Sequence, residues 1–187
     1  MALTLSWDLF VIVFFAVVIT YSFIIGKHES VKIIIATYIA IVAAQGMGNL
    51  LERLTTESQP LFSVVGFTLD LQLLATTKLI LFIMTIVFLA VRGGFEIEYQ
   101  KEGSALVDVA LTAVFGFVTA GLMLSTLMTF VADAPLLDKN IADSPFVISM
   151  IGQSRLMELM VLYQDLWFSL PALILLTIGF MQNDSEE

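Results

Sequence analysis

Apolar positions run almost unbroken through four stretches of the chain, and short polar groups punctuate them. Leu9 to Ile25 is the first stretch, and it ends at Gly26-Lys27. Residues 33–50, IIIATYIAIVAAQGMGNL, form the second and hold no charge. The third runs from about Leu71 to Val91, and the fourth is ALVDVALTAVFGFVTAGLMLSTLMTFV, residues 105–131. Continuous runs near the roughly 20 residues needed to cross about 30 Å of hydrocarbon predict membrane-spanning helices. A membrane β-barrel would show short alternating segments instead. The predicted fold is therefore an all-α integral membrane protein, with a single polytopic domain over 1–187 and spans at about 8–26, 31–50, 71–92 and 105–131.

The polar breaks set the connections. GKHESVK, residues 26–32, predicts a tight turn that makes an antiparallel hairpin of the first two helices. Pro60 ends the polar exit LERLTTESQP. LFSVVGFTLDLQ, 61–72, is too short to span and is expected to be re-entrant or interfacial, since unpaired backbone survives at depth only under protein or water. FEIEYQKEGS, 95–104, suits a brief strand or a solvated helix extension. Ser144-Pro145 has the form of an N-cap followed by proline at the first helical position, opening a helix over about 145–165. Gln153, Ser154, Arg155, Glu158, Gln164 and Asp165 share one half of that helix, which suits a membrane surface or a position across the bundle. LWFSLPALILLTIGFM, 166–181, is apolar but interrupted by Pro171. A fifth span, a re-entrant hairpin and a buried plug all fit it.

Small residues carry the packing prediction. Ala36, Ala40, Ala44 and Gly48 recur every fourth position and fall on one helix face. Such a stripe lets another helix approach backbone to backbone, as helices associate in lipid. Gly116 with Ala120, and Gly121 with Ser125, offer the matching spacing on the fourth helix.

Composition narrows the functional classes. Hydrophobic residues make up 59% of the 187, charged residues only 13%, and the net charge is −9. An acidic chain gains nothing from counterion release, so nucleic acid is excluded as a favoured partner. Cysteine is absent, which removes disulfides, thiolate metal sites and cysteine catalysis. The N-terminal eight residues carry no Lys or Arg, and Lys27 and Lys32 flank the first turn. The positive-inside rule then puts the turn in the cytoplasm and the N-terminus outside.

Lys78 lies about seven residues inside the third span, where a charge costs roughly 3 kcal/mol on insertion scales. Two readings compete: snorkelling of its long stem to the interface, or a polar path shared with Gln45, Asn49, Asp8 and Asp70. The amides of Gln45 and Asn49 also suit hydrogen bonds between helices. Asp8 is placed to cap its own helix. Arg92 and Asp108 end and begin consecutive helices, which suggests an ion pair. His28 is the one histidine and sits in a polar turn without converging partners. Glu96, Glu98 and Glu102 lack a calcium-loop signature. No nucleophile elbow, P-loop or dinucleotide fingerprint occurs, so neither catalytic residues, nor a cofactor, nor a metal is expected.

Asp8 at the start of the first helix, the basic turn from Gly26 to Lys32, the stripe from Ala36 to Gly48, and AVFGFVTAGLMLS at 113–125 together resemble the colicin V production protein family. Gly116 and Gly121 stand where that family's fourth-helix glycines would be. The turn GKHES and the pair Thr119-Ala120 depart from the family pattern, which favours arginine at both places. The resemblance, over roughly 5–145, implies a four-span bacterial inner-membrane protein tied to bacteriocin production and membrane homeostasis. Expected partners are the lipid bilayer and either further copies of the chain or other membrane subunits. The resulting expectation is a non-enzymatic scaffold or assembly subunit, with a small oligomeric transporter or channel as the alternative.

Overall fold

A computed structural model describes residues 6–57, 71–92, 105–132, 136–137, 147–149, 152 and 154–183. Among the described residues the regular structure is helical throughout. The helices are α1 (Trp7–Glu57), α2 (Leu71–Arg92), α3 (Ala105–Val131), α4 (Arg155–Leu162) and α5 (Gln164–Asn183). Three stretches are long and apolar enough to cross a membrane: Trp7–Leu54, Ala75–Arg92 and Leu106–Val131. The bent pair of α4 and α5 passes the same test when taken together.

Helix α1 is not straight. Gly26 stands at φ 84°, ψ 173°, outside helical geometry, and divides it into arms 7–25 and 27–57. The contacts of α3 reveal the direction of each arm. Along the first arm, Val11 shares a core with Leu124 and Met128, Phe15 stacks with Phe117, and Ile19 and Ser22 meet Gly116. That arm therefore runs antiparallel to α3. Along the second arm, Lys27 pairs with Asp108, Val31 and Ile34 pack with Phe115 and Val118, and Ala40 and Ala44 pack with Leu122 and Phe130. The second arm runs parallel to α3, so the chain reverses at Gly26.

The reversal needs less chain than the sequence suggests. Residues 27–32 are helical rather than a turn, and Gly26 makes the bend by itself. A polar helix start and a polar loop have the same composition, and here the backbone closes at once into helix. Ser30 Oγ donates to the Gly26 carbonyl at 2.9 Å, and Lys32 Nζ donates to Glu29 at 2.6 Å.

α3 is the hub. Phe115, Val118, Leu122, Leu124 and Phe130 are all at 2% exposure or less, and they face α1, α2, α4 and α5 in three clusters. α2 packs by one face only, through Ala75, Phe82 and Ile86. The sequence-predicted helix over 145–165 is not continuous. Ser154 is an N-cap at φ −154°, its Oγ accepting from Met157 N–H at 3.0 Å, and α4 ends at Tyr163. A hydroxyl at Ser154 competes for backbone N–H groups and favours a fresh helix start over a continued one. α5 then starts at Gln164, and the two axes are bent by 67°.

The described residues omit 58–70 and 93–104, so residues 61–70 of the segment expected to be re-entrant and the acidic loop with Glu96, Glu98 and Glu102 lie outside them, as do Asp70 and Ser144-Pro145; Leu71 and Gln72 already belong to α2.

Candidate functional site

Each small residue on α3 receives something different. A Cβ built at Gly116 would stand 3.0 Å from the Ile19 Cα and from Ser22 Cβ, so the first arm's backbone lies directly on it. A Cβ at Gly121 would stand within 2.2 Å of two Trp167 ring atoms, so this glycine is the seat of an indole. Five residues apart on a helix, the two point about 140° away from one another and cannot serve one partner. Their neighbours are thus the first arm and α5, not the small stripe of the second arm. Ala120 and Ser125 are fully buried, and Ser125 Oγ makes no hydrogen bond among the described residues.

The stripe itself faces inward: Ala36, Ala40 and Ala44 are at 2% exposure or less, and Gly48 is buried. Ala40 and Ala44 lie with Phe82 and Ile86 of α2 as well as Leu122 and Phe130 of α3. At Gly48 the neighbour is the stem of Lys78, whose Cε, Cγ and Cδ would stand 2.6, 2.7 and 3.0 Å from a Cβ. Gly48 is thus a slot through which the lysine stem crosses the second arm.

The polar residues do not gather in one channel. Gln45 Nε2 donates to Asn49 Oδ1 at 3.1 Å on the outer side of the second arm. Those amides and Lys78 share one corner of the bundle. Asp8 belongs elsewhere: it accepts from the Ser154 hydroxyl and, at 3.2 Å, from Leu156 N–H. Its carboxylate caps α4, not its own helix. Asp108 pairs with Lys27 at 2.6 Å, with 34% and 15% of the side chains exposed, while Arg92 is exposed at the end of α2. The expected Arg92–Asp108 pair gives way because the second arm and α3 are parallel neighbours that start at the same level.

Five threonine hydroxyls in the interior are spent on their own helices. Thr37, Thr112, Thr119, Thr126 and Thr129 each donate to the carbonyl four residues earlier, at 2.6 to 2.8 Å. Buried Gln164 and half-buried Tyr38 also join elements. Gln164, 3% exposed at the start of α5, donates to Thr129 Oγ1 at 2.8 Å and accepts from Leu137 N–H at 3.1 Å. Tyr38 donates its hydroxyl to the Phe168 carbonyl of α5 at 2.5 Å. Sequence patterning flagged Pro171 and placed Gln164 on a polar helix face, but marked neither Tyr38 nor the Lys27–Asp108 pair. Nothing local marks a tyrosine whose partner is 130 positions away.

Among the described residues no group of three or more His, Asp or Glu side chains is placed to hold a metal ion. No protein family model matches the chain, and neither a curated protein nor a solved structure matches it.

Proposed function

We propose that this chain is a non-catalytic scaffold or assembly subunit of a bacterial inner membrane, built as four crossings: the two arms of α1, then α2 and α3. At 1.5 Å per residue the first arm reaches about 28 Å, which suits one crossing. α4 lies at the surface and α5 re-enters as a broken fifth segment. The N-terminus is outside and Gly26 is on the cytoplasmic side.

One observation carries the functional reading. Among the described residues, the ionisable and amide groups that a transport path would need are engaged in structural tasks. Asp8 caps α4, Gln45 bonds Asn49, Lys27 bonds Asp108, and Lys78 threads the Gly48 slot. The buried hydroxyls of Thr119, Thr126 and Thr129 are satisfied by their own backbones. Such an interior is suited to holding helices together and presenting an apolar exterior to other membrane subunits. The resemblance to colicin V production proteins adds a role in membrane homeostasis. Extraction of the tagged chain into native lipid discs, followed by native mass spectrometry, tests this. A defined oligomer or a stoichiometric partner is expected, and a strict monomer without one contradicts the proposal.

A transporter is the second reading. Its support is the 67° break between α4 and α5 with buried Gln164 beside it, since broken helices commonly frame substrate sites. Solute flux in proteoliposomes, reduced by both Lys78→Ala and Gln164→Leu, would favour it.

A further inference from the structure

The second arm of α1 has two long faces. One carries Ala36, Ala40, Ala44 and Gly48 into the bundle. The opposite face carries Ile39, Val42, Gly46 and Asn49 outward, and all four are exposed, Val42 at 72%. Their spacing of three, four and three residues sets them along one seam of the helix. Nothing lies within 4 Å of a Cβ built at Gly46, so a second helix can approach the seam closely there, as paired membrane helices do at small residues. Arg53, the next position of the series, lies past the end of the span over 31–50.

The amides say what covers this seam. Half-buried Gln45 flanks it, and its Nε2 donates to Asn49 Oδ1 at 3.1 Å. A primary amide has two N–H donors and a carbonyl acceptor. After that one bond, the Gln45 carbonyl and the Asn49 N–H groups have no partner among the described residues. The exposed hydroxyls of α5 differ, since Ser169 and Thr177 donate to carbonyls of their own helix. At 1.5 Å per residue, Gln45 lies about 7 Å inside the end of the span, where acyl chains offer an amide nothing. What is left over is an acceptor beside a donor. That set is complementary to the same set on another copy.

We propose that a second copy of this chain docks on the outer face of the second arm, across a two-fold axis along the membrane normal, with Asn49 of each copy donating to the Gln45 carbonyl of the other. The two amides touch, so they sit at one height, and parallel copies bring them level. Such an interface uses one patch twice and closes at two chains. A polar side chain at one seam position also fixes the register of a helix pair. The proposal rests on the assembly reading above and names its partner.

Cysteine cross-linking of the full chain in its native membrane tests it, because the chain has no cysteine of its own. Val42→Cys and Gly46→Cys probe the seam. Val17→Cys and Val87→Cys probe the exposed faces of the first arm and of α2. Mild oxidation is expected to give a disulfide-linked dimer at 42 and 46 and none at 17 or 87. Energy transfer between differently labelled Glu29→Cys copies, diluted in lipid, then reads the dissociation constant. It is expected to rise about three- to twentyfold for each interchain bond lost in the double variant Gln45→Leu, Asn49→Leu. Tryptophan fluorescence of that variant should match the parent, since both amides lie outside the core. Dimers linked through 17 or 87 instead overturn the proposal, and so does a dissociation constant that the double variant leaves unchanged. Cross-linking of position 46 to a different subunit also overturns it, while the assembly reading survives. A strict monomer contradicts both.

Discussion

Three glycines in this bundle make room for three different guests: a backbone at Gly116, an indole at Gly121 and a lysine stem at Gly48. Their value is the close approach each permits, because an added methyl would occupy space already filled. Gly179 is the internal control, with nothing near it. Gly121→Ala is expected to destabilise the chain by about 1–3 kcal/mol through overpacking against Trp167. Gly179→Ala should be neutral or gain up to about 1 kcal/mol from helix propensity. Unfolding in mixed micelles, followed by tryptophan fluorescence, separates the two. Equal effects would mean that the indole does not rest on Gly121. Lys78 illustrates the same economy: its charge is costly at depth, and the Gly48 slot lets the flexible stem lie flat against the second arm.

At the level of elements, the hairpin in α1 depends on one residue. The values φ 84°, ψ 173° fall in a region that is essentially restricted to glycine. Nothing lies within 4 Å of a Cβ there, so any penalty is conformational and not steric crowding. Gly26→Ala should cost about 1–3 kcal/mol, and Gly26→Asn should not rescue it, since asparagine tolerates the left-handed helical region instead. Chemical unfolding of the three proteins decides this; full rescue by asparagine would contradict the geometry. The hairpin itself was legible, because apolar runs on both sides of GKHES leave only a short reversal. The length of the turn was not, because helix starts and loops both favour Lys, Glu and Ser. Nor were the bonds of Asp8 and Tyr38 legible. Their partners are 146 and 130 positions away, and a pattern of period 3.6 holds no information at that distance. The small stripe was legible as a face, but its guests were not, since a lysine stem and an alanine look alike from the opposite helix.

At the scale of the whole molecule, the exterior is oily. Ile24, Val42, Val91 and Leu106 are 72 to 81% exposed, and they stand among many other exposed aliphatic residues on α1, α2 and α3. A soluble monomer rarely exposes contiguous apolar patches above a few hundred Å², whereas lipid covers such a surface at no cost. The long apolar helices thus fit a membrane location. The helix directions then divide the chain between two faces. One carries Trp7, Glu52 and Arg155; the other carries Glu29, Arg92 and Asp108. This division is what the four-crossing account requires, and it is independent of which face is cytoplasmic.

The chain has no cysteine, so single probes at Glu29, Arg92, Glu52 and Arg155 are unambiguous. Each is substituted with cysteine in turn and treated with a membrane-impermeant thiol reagent in sealed and in opened vesicles. The account predicts that Glu29 and Arg92 label from one side and Glu52 and Arg155 from the other. Labelling of Glu29 and Glu52 from the same side would contradict it, because the second arm of α1 would then not cross the bilayer.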